Sequence, residues 1–278
     1  MRIRLISDRP DHPVLAEMME RLRRHHDASV LTVDEEGDVA ALAAAQARDP
    51  ASVYLLKSHT PAALELARRL ELCGALVVNR WASTRLCQDR VLMSRRVIEA
   101  GLPWPRTWSA ASLGRARMLL DELPFPVIVK SRRSRRQDLV CRVDGAAGLE
   151  ALMPRWGGEP VILQEFADND GWDIKVWAVG GRVFAARRRT PLDPEADRES
   201  RPVDPSDVAA GWAEMALRVG RAFGLSLYGV DLVAGAGGAV VIDVNAFPGY
   251  RGVAGAAAAL ATHVEDLRPG SLDAEASA

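Results

Sequence analysis

The chain has 278 residues, with 36 Lys and Arg against 37 Asp and Glu and a net charge of -1. That length buries a sizeable core in two or three lobes, and the balanced charge argues against a general nucleic-acid binder. No apolar run approaches the roughly 18 residues that span a bilayer.

The N-terminal run Met1–Asp8 reads as a first strand, because its apolar stretch is too short for a signal peptide. Further strands are expected at 29–33, 52–57 and 75–78, with amphipathic helices at 13–25, 38–48 and 61–72 between them. Such alternation predicts a parallel sheet covered by helices, and the absence of GxGxxG gives a dinucleotide site no support. A longer helix is expected over 83–100, with Gly101 as its C-cap and Pro103 beyond. Residues 102–107, carrying Pro103 and Pro105, read as an extended linker. A small α+β lobe follows: helix 110–121, strands 126–130 and 138–143, helix 146–153 and strand 160–165. Strands at 173–179 and 182–188 form a hairpin about Gly180-Gly181. A Pro- and Asp-rich loop at 190–205, helix 206–223 and strands 227–234 and 239–244 complete the order. The tail from 267 lacks apolar anchors and reads as disordered. Cys73, Cys87 and Cys141 form no CxxC and no even set, which predicts reduced core thiols in a cytoplasmic enzyme.

The chemistry concentrates near the C-terminal end. Asp243 and Asn245 lie two apart on one strand, so their side chains share a face, and Asp231 adds a carboxylate on the strand before. Hard oxygen ligands so arranged suit Mg²⁺ with phosphate completing its shell; a capping Asp and a turn Asn are the alternative for either residue alone. Lys130 closes a buried strand, where its ammonium meets a phosphate or stays in water. The following Arg132, Arg133, Arg135 and Arg136 are too many to find carboxylate partners locally, and read as a solvated run or as a cover for an acidic substrate. Gln164, Glu165, Phe166 and Ala167 end a strand at a linker, where an adenine finds an acceptor and backbone groups. Asp173, Lys175 and Trp177 alternate on one hairpin face, and the return strand ends in Arg187-Arg188-Arg189: a cleft lining, or an exposed sheet face. Lys57 and His59 end a front-lobe strand, where α/β folds bind ligands. Arg251 follows the metal strand and either holds an acidic group or lies in solvent. His12, His25, His26 and His263 show no ligand spacing.

From about Leu56 to Gly252 these segments resemble the ATP-grasp superfamily, in its order of front lobe, linker, lid, hinge and metal strands. The resemblance implies an N-terminal α/β domain over 1–102. It also implies an ATP-grasp domain over 103–266, with a lid at about 107–163 and a C-terminal lobe at about 164–266. Asp231, Asp243 and Asn245 match the D…(D/E)-x-N metal pattern for two Mg²⁺ ions, with Mn²⁺ as a substitute. Lys130 matches the lid lysine, and Gln164, Glu165, Phe166 and Ala167 the adenine hinge. Arg90 stands where a phosphate-contacting lysine is common. Asp173-Ile174-Lys175 is similar to an Asp-Ile-Arg segment of the RimK-like branch, so Asp173 and Lys175 are expected at the nucleotide. Lys130, Lys175 and Arg187 are the expected catalytic groups, with Lys57, His59, Arg187 and Arg251 on the substrate. The lid departs from the family, having no glycine between Lys130 and Gly145 to present backbone N–H groups to phosphate.

The RimK-like branch implies a ligase that joins a carboxylate to an amine through an acyl phosphate, acting on a small molecule or peptide with an acidic group. Its mechanism rests on position and charge neutralisation and requires no Ser or Cys nucleophile. The chain also resembles inositol polyphosphate kinases in 243–250 and in Leu55–His59, which would imply phosphoryl transfer to a hydroxyl. A non-catalytic nucleotide-binding module is the third reading. Neither nucleic acid nor membrane is an expected partner, and a homo-oligomer stays open.

Overall fold

The computed structural model describes the chain except residues 9–10, 35, 136, 169, 191, 193–199, 204–207, 209, 236–237 and 268–278. Three sheets organise it, and each arises from the period of its sequence. At the front, β1 (Arg2–Ile6), β2 (Asp27–Leu31), β3 (Val53–Leu56) and β4 (Val77–Val78) form a parallel sheet in the order β2-β1-β3-β4. Helices α1 (Pro13–Arg23), α2 (Val39–Arg48) and α3 (Pro61–Leu72) cover it, so β3 is buried at every position. Apolar strands read without alternation because both faces are covered.

The expected helix over 83–100 is two helices, α4 (Trp81–Gln88) and α5 (Arg90–Glu99). Asp89 between them is extended (φ −113°, ψ 102°), and its carboxylate accepts hydrogen bonds from the N–H groups of Val91 and Leu92. An Asp side chain competes with the helical backbone and prefers to cap a new helix, which breaks the run. The helix expected over 110–121 is also different. Thr107–Ala110 is a strand, β5, and Leu113–Glu122 is a 3₁₀ segment capped by Ser112. β5 pairs antiparallel with β8 (Val161–Glu165) in a sheet of order β5-β8-β6-β7, where β6 is Val127–Ser131 and β7 Val140–Val143. The short helices α6 (Ala146–Ala151) and α7 (Met153–Trp156) complete this lobe.

The third sheet has the order β11-β10-β9-β12-β13, from Ser200–Val203, Arg182–Arg189, Trp172–Val179, Leu227–Gly235 and Gly238–Ala246 respectively. β9 and β10 turn through Gly180, whose φ of +56° suits a residue without Cβ. Strand β11 lies inside the segment expected to be loop. Helix α8 (Ala210–Phe223) packs with Ala216, Val219 and Phe223 on one face of the sheet, against Ile174, Val176 and Val230. The other face, carrying Trp177 and Phe184, shares a core with Leu5 of the front sheet, Leu15 of α1 and Leu260 of helix α9 (Ala256–Asp266). This alanine-rich helix was not anticipated. It seals the joint between the front sheet and the central one. Cys87 is buried and Cys141 half-buried, but Cys73 is exposed, contrary to the expectation of three core thiols, because it sits at the outer C-cap of α3. The expected disordered tail lies outside the described residues from 268 onward. Among the described residues no helix is long and apolar enough to cross a membrane.

Candidate active site

Register collects the site. In the central sheet Asp231 lies opposite Asp243 on one side and Lys175 on the other, while Asp173 faces Arg188 and Gly229 faces Asn245. Opposed residues of an antiparallel pair share a face. Asp173, Lys175, Arg188, Asp231, Asp243 and Asn245 therefore project from the same side. A bulge lies in this row, for Leu232 pairs with Val241 and leaves Ile242 without a partner in the register. The Ile242 carbonyl accepts instead from Lys130 Nζ at 2.9 Å, which ties strand β6 to strand β13.

Lys130 is buried, and its Nζ also donates to Gln164 Oε1 at 2.8 Å. Burial pushes its pKa down to about 8, against the pull of Asp243. Asp231 forms an ion pair with Lys175 at 2.7 Å, with Arg188 Nη2 at 3.6 Å, and accepts from Asn245 Nδ2 at 3.4 Å. Burial alone would raise this carboxyl, but Lys175 and Arg188 hold it below its ordinary value. Asp173 goes the other way: burial first, and Asp231 second, push it up to about 6. Arg90 is buried, donates from Nη1 to Asp138 Oδ2 (2.6 Å) and the Ser131 carbonyl (2.8 Å), and lies 3.5 Å from Asp243 Oδ2. It thus ties strand β6 to strand β13.

Two cavities meet at Arg188. The first, of about 460 Å³, is lined by Lys130, Gln164–Ala167, Asp173, Asp231, Asp243 and Arg90. Three buried N–H donors on its walls, Arg90 Nε, Gln164 Nε2 and Arg188 Nε, have no acceptor among the described residues. Buried donors are almost always satisfied, so acceptors supplied by a bound molecule are the fitting complement. A nucleotide offers them as phosphate oxygens and ring nitrogens. For the metal, no cluster of three His, Cys, Asp or Glu occurs among the described residues. Two carboxylates and one amide on a single face suit a Mg²⁺ ion whose other ligands are phosphate oxygens and water.

The second cavity, of about 480 Å³, contains Lys57, His59, Lys175, Arg188, Asn245 and Arg251, with Asp8 its single carboxylate. His59 is pushed down to about 4 by burial and by Lys57, so its ring is neutral at physiological pH. His12, given no role from sequence, also lines this chamber.

Two expectations are corrected. Arg187 is not among the groups brought together: it pairs in register with Ile174 on the opposite sheet face, and it donates to Asp170 at 2.5 Å beside the Trp172 ring. Arg188 takes the inward place. Strand alternation held this answer, since the two-residue turn fixes Arg188 opposite Asp173. Of the arginine run, the three described members do have carboxylate partners. Arg132 grips Asp89 with both Nε and Nη2, Arg133 lies 3.6 Å from it, and Arg135 makes a two-point contact with Glu159. Arg136 lies outside the described residues.

Comparison with known proteins agrees with this arrangement. Residues 87–264 match the family model for the RimK-like ATP-grasp domain. A probable alpha-L-glutamate ligase of Xanthomonas oryzae pv. oryzae is 28% identical over 219 residues, 74% of each chain. A solved RimK domain protein ATP-grasp from Sphaerobacter thermophilus superposes with a TM-score of 0.72 at 22% identity, covering 95% of this chain and 99% of that one. The ATP-grasp ligase PsnB, complexed with minimal precursor, Mg and ADP, gives 0.64 at 20% identity over 99% and 96%. These relatives favour a ligase over the inositol polyphosphate kinases. The matched segment takes in more than half of the sequence, and the chain belongs to the RimK-like ATP-grasp family of carboxylate–amine ligases.

Proposed function

We propose that the protein uses Mg·ATP to join a carboxylate to an amine through an acyl phosphate, releasing ADP and phosphate. The observation that carries this is the set of three acceptorless donors around one cavity, beside paired carboxylates and an adjoining cation-lined chamber. A substrate carboxylate oxygen attacks the γ-phosphorus of ATP, and the bond to ADP breaks. The amine then attacks the acyl carbon, phosphate leaves with the C–O bond electrons, and the nitrogen loses a proton.

Each residue has a share. Gln164–Ala167 hold the base, and Lys130 and Arg90 meet phosphate charge. Asp231, Asp243 and Asn245 hold the metal, which neutralises the phosphates when bound. Arg188, which lines both cavities, and Lys175, beside Asp231, face the point where the carboxylate and γ-phosphate meet. There a fixed guanidinium stabilises developing charge. Lys57 and Arg251 receive the acidic substrate; the name of the Xanthomonas relative makes L-glutamate the first candidate.

The test is ³¹P NMR of the protein with Mg·ATP and a pool of amino acids. ADP with free phosphate is the expected outcome, and added hydroxylamine should take the acyl group from the acyl phosphate as a hydroxamate. ADP with a new phosphate ester and no free phosphate would assign the kinase chemistry instead.

A further inference from the structure

Helix α1 begins in an unusual way. Its N-cap is His12, extended at φ −64°, ψ 120°, and the side chain makes no capping hydrogen bond. Ser, Thr, Asp or Asn there typically stabilises a helix by about 1 kcal/mol, so the sequence forgoes a common gain at this position. The imidazole is buried and turned towards the second cavity. Arg251 Nε donates to its Nε2 at 3.2 Å. A guanidinium cannot give up its proton here, so Nε2 is the acceptor. The chain also clears a path: a Cβ on Gly249 would lie 2.6 Å from His12 Nε2, closer than real contacts allow. Gly249 and Arg251 follow the metal strand β13, whereas His12 belongs to the front sheet's first connection. This hydrogen bond joins the two halves of the chamber.

We infer that His12 is a positioning residue: it fixes the guanidinium of Arg251 across the two lobes, so that a substrate carboxylate meets a preset donor. This rests on the ligase reading above. A free arginine on a loop loses rotamer freedom when it engages a carboxylate, and one already held by Nε keeps its two Nη groups in a set plane for a two-point contact.

The variants His12→Asn and His12→Gln separate this role from a packing role. Asn is a better helix cap but too short to reach Arg251, whereas Gln carries an acceptor to about the reach of Nε2. In wild type and H12Q the Arg251 Nε–H signal in ¹H–¹⁵N NMR, assigned by its loss in R251K, is expected to be protected from exchange. In H12N it should be lost. With a non-hydrolysable ATP analogue and Mg²⁺ present, titrated L-glutamate should bind about tenfold more weakly to H12N, the scale of one hydrogen bond to a charged group. Analogue affinity should stay within about twofold, with a melting temperature no lower than wild type. H12N with an unchanged Arg251 signal, or with unchanged glutamate affinity, would overturn the inference. So would a joint fall in both affinities and melting temperature. If wild type binds no L-glutamate, that substrate assignment fails, and the Arg251 signal alone decides whether His12 holds the arginine.

Discussion

The two cavities share a wall yet are built on opposite electrostatic plans. In the first cavity three acids have cationic partners, Asp231 in Lys175 and both Asp243 and Asp138 in Arg90, while Asp173 is pushed up by burial instead. In the front chamber Lys57 and Arg251 join Lys175 and Arg188, which are themselves paired with Asp231, and Asp8 is the one carboxylate of the lining among the described residues. The matched cavity suits a ligand that arrives as both charges, a polyphosphate with its cation, each sign displacing a resident partner. The front chamber, with more cations than carboxylates on its walls, suits a plain anion. Lys130 shows what burial costs, since its pKa is drawn down to about 8 even with acids nearby.

The largest effect should come from removing an acid on the matched side. Asp243→Ala is expected to lower Mg²⁺-dependent ADP formation by about a thousandfold, while circular dichroism shows the fold intact. Undiminished turnover would refute the metal assignment. The shared wall gives the next test. Arg188→Ala should cost about a hundredfold in turnover and Arg187→Ala no more than about threefold, because only Arg188 faces the cavities. A reversed order would mean that the working sheet face has been misassigned.

Outside both cavities, Asp89 tests the lid. Its carboxylate caps α5 and holds Arg132, which follows strand β6. Asp89→Ala should destabilise the protein by about 2 kcal/mol in urea unfolding, the sum of a lost cap and a lost buried acceptor. Equal stability would mean that the arginines hold the lid without it.

The difference between the cavities also explains what could be read in advance. That Asp231, Asp243 and Asn245 share a sheet face, and that Lys130 and Gln164 lie near the ends of buried strands, was legible because strands impose a period of two. Arg188 was equally accessible, since a two-residue turn fixes the hairpin register, yet the run of three arginines obscured which one points inward. His12 had no local signal. Its meaning depends on Arg251 and Gly249, more than two hundred residues away, and only the tertiary fold brings them together. The broken helix at Asp89 did carry a cue, an Asp before a fresh helical run, that amphipathic period alone overrode.

The smallest effect probes the matched cavity through pH. Asp173 titrates near 3.8 when unperturbed and about 6 in the fold, raised by burial and then by Asp231. The folded protein therefore holds this proton more tightly than the unfolded chain does. The stability this contributes is complete below pH 4 and is lost as pH rises through about 6. Wild type should thus lose up to about 2 kcal/mol relative to Asp173→Asn between pH 4 and 7. Thermal unfolding of both proteins across that range measures it. Binding of Mg·ATP should shrink the gap, because a cation near Asp231 lowers the cost of ionising Asp173. Parallel curves without ligand would mean that water reaches Asp173 freely, and the cavity would then be less dry than its buried lysine implies.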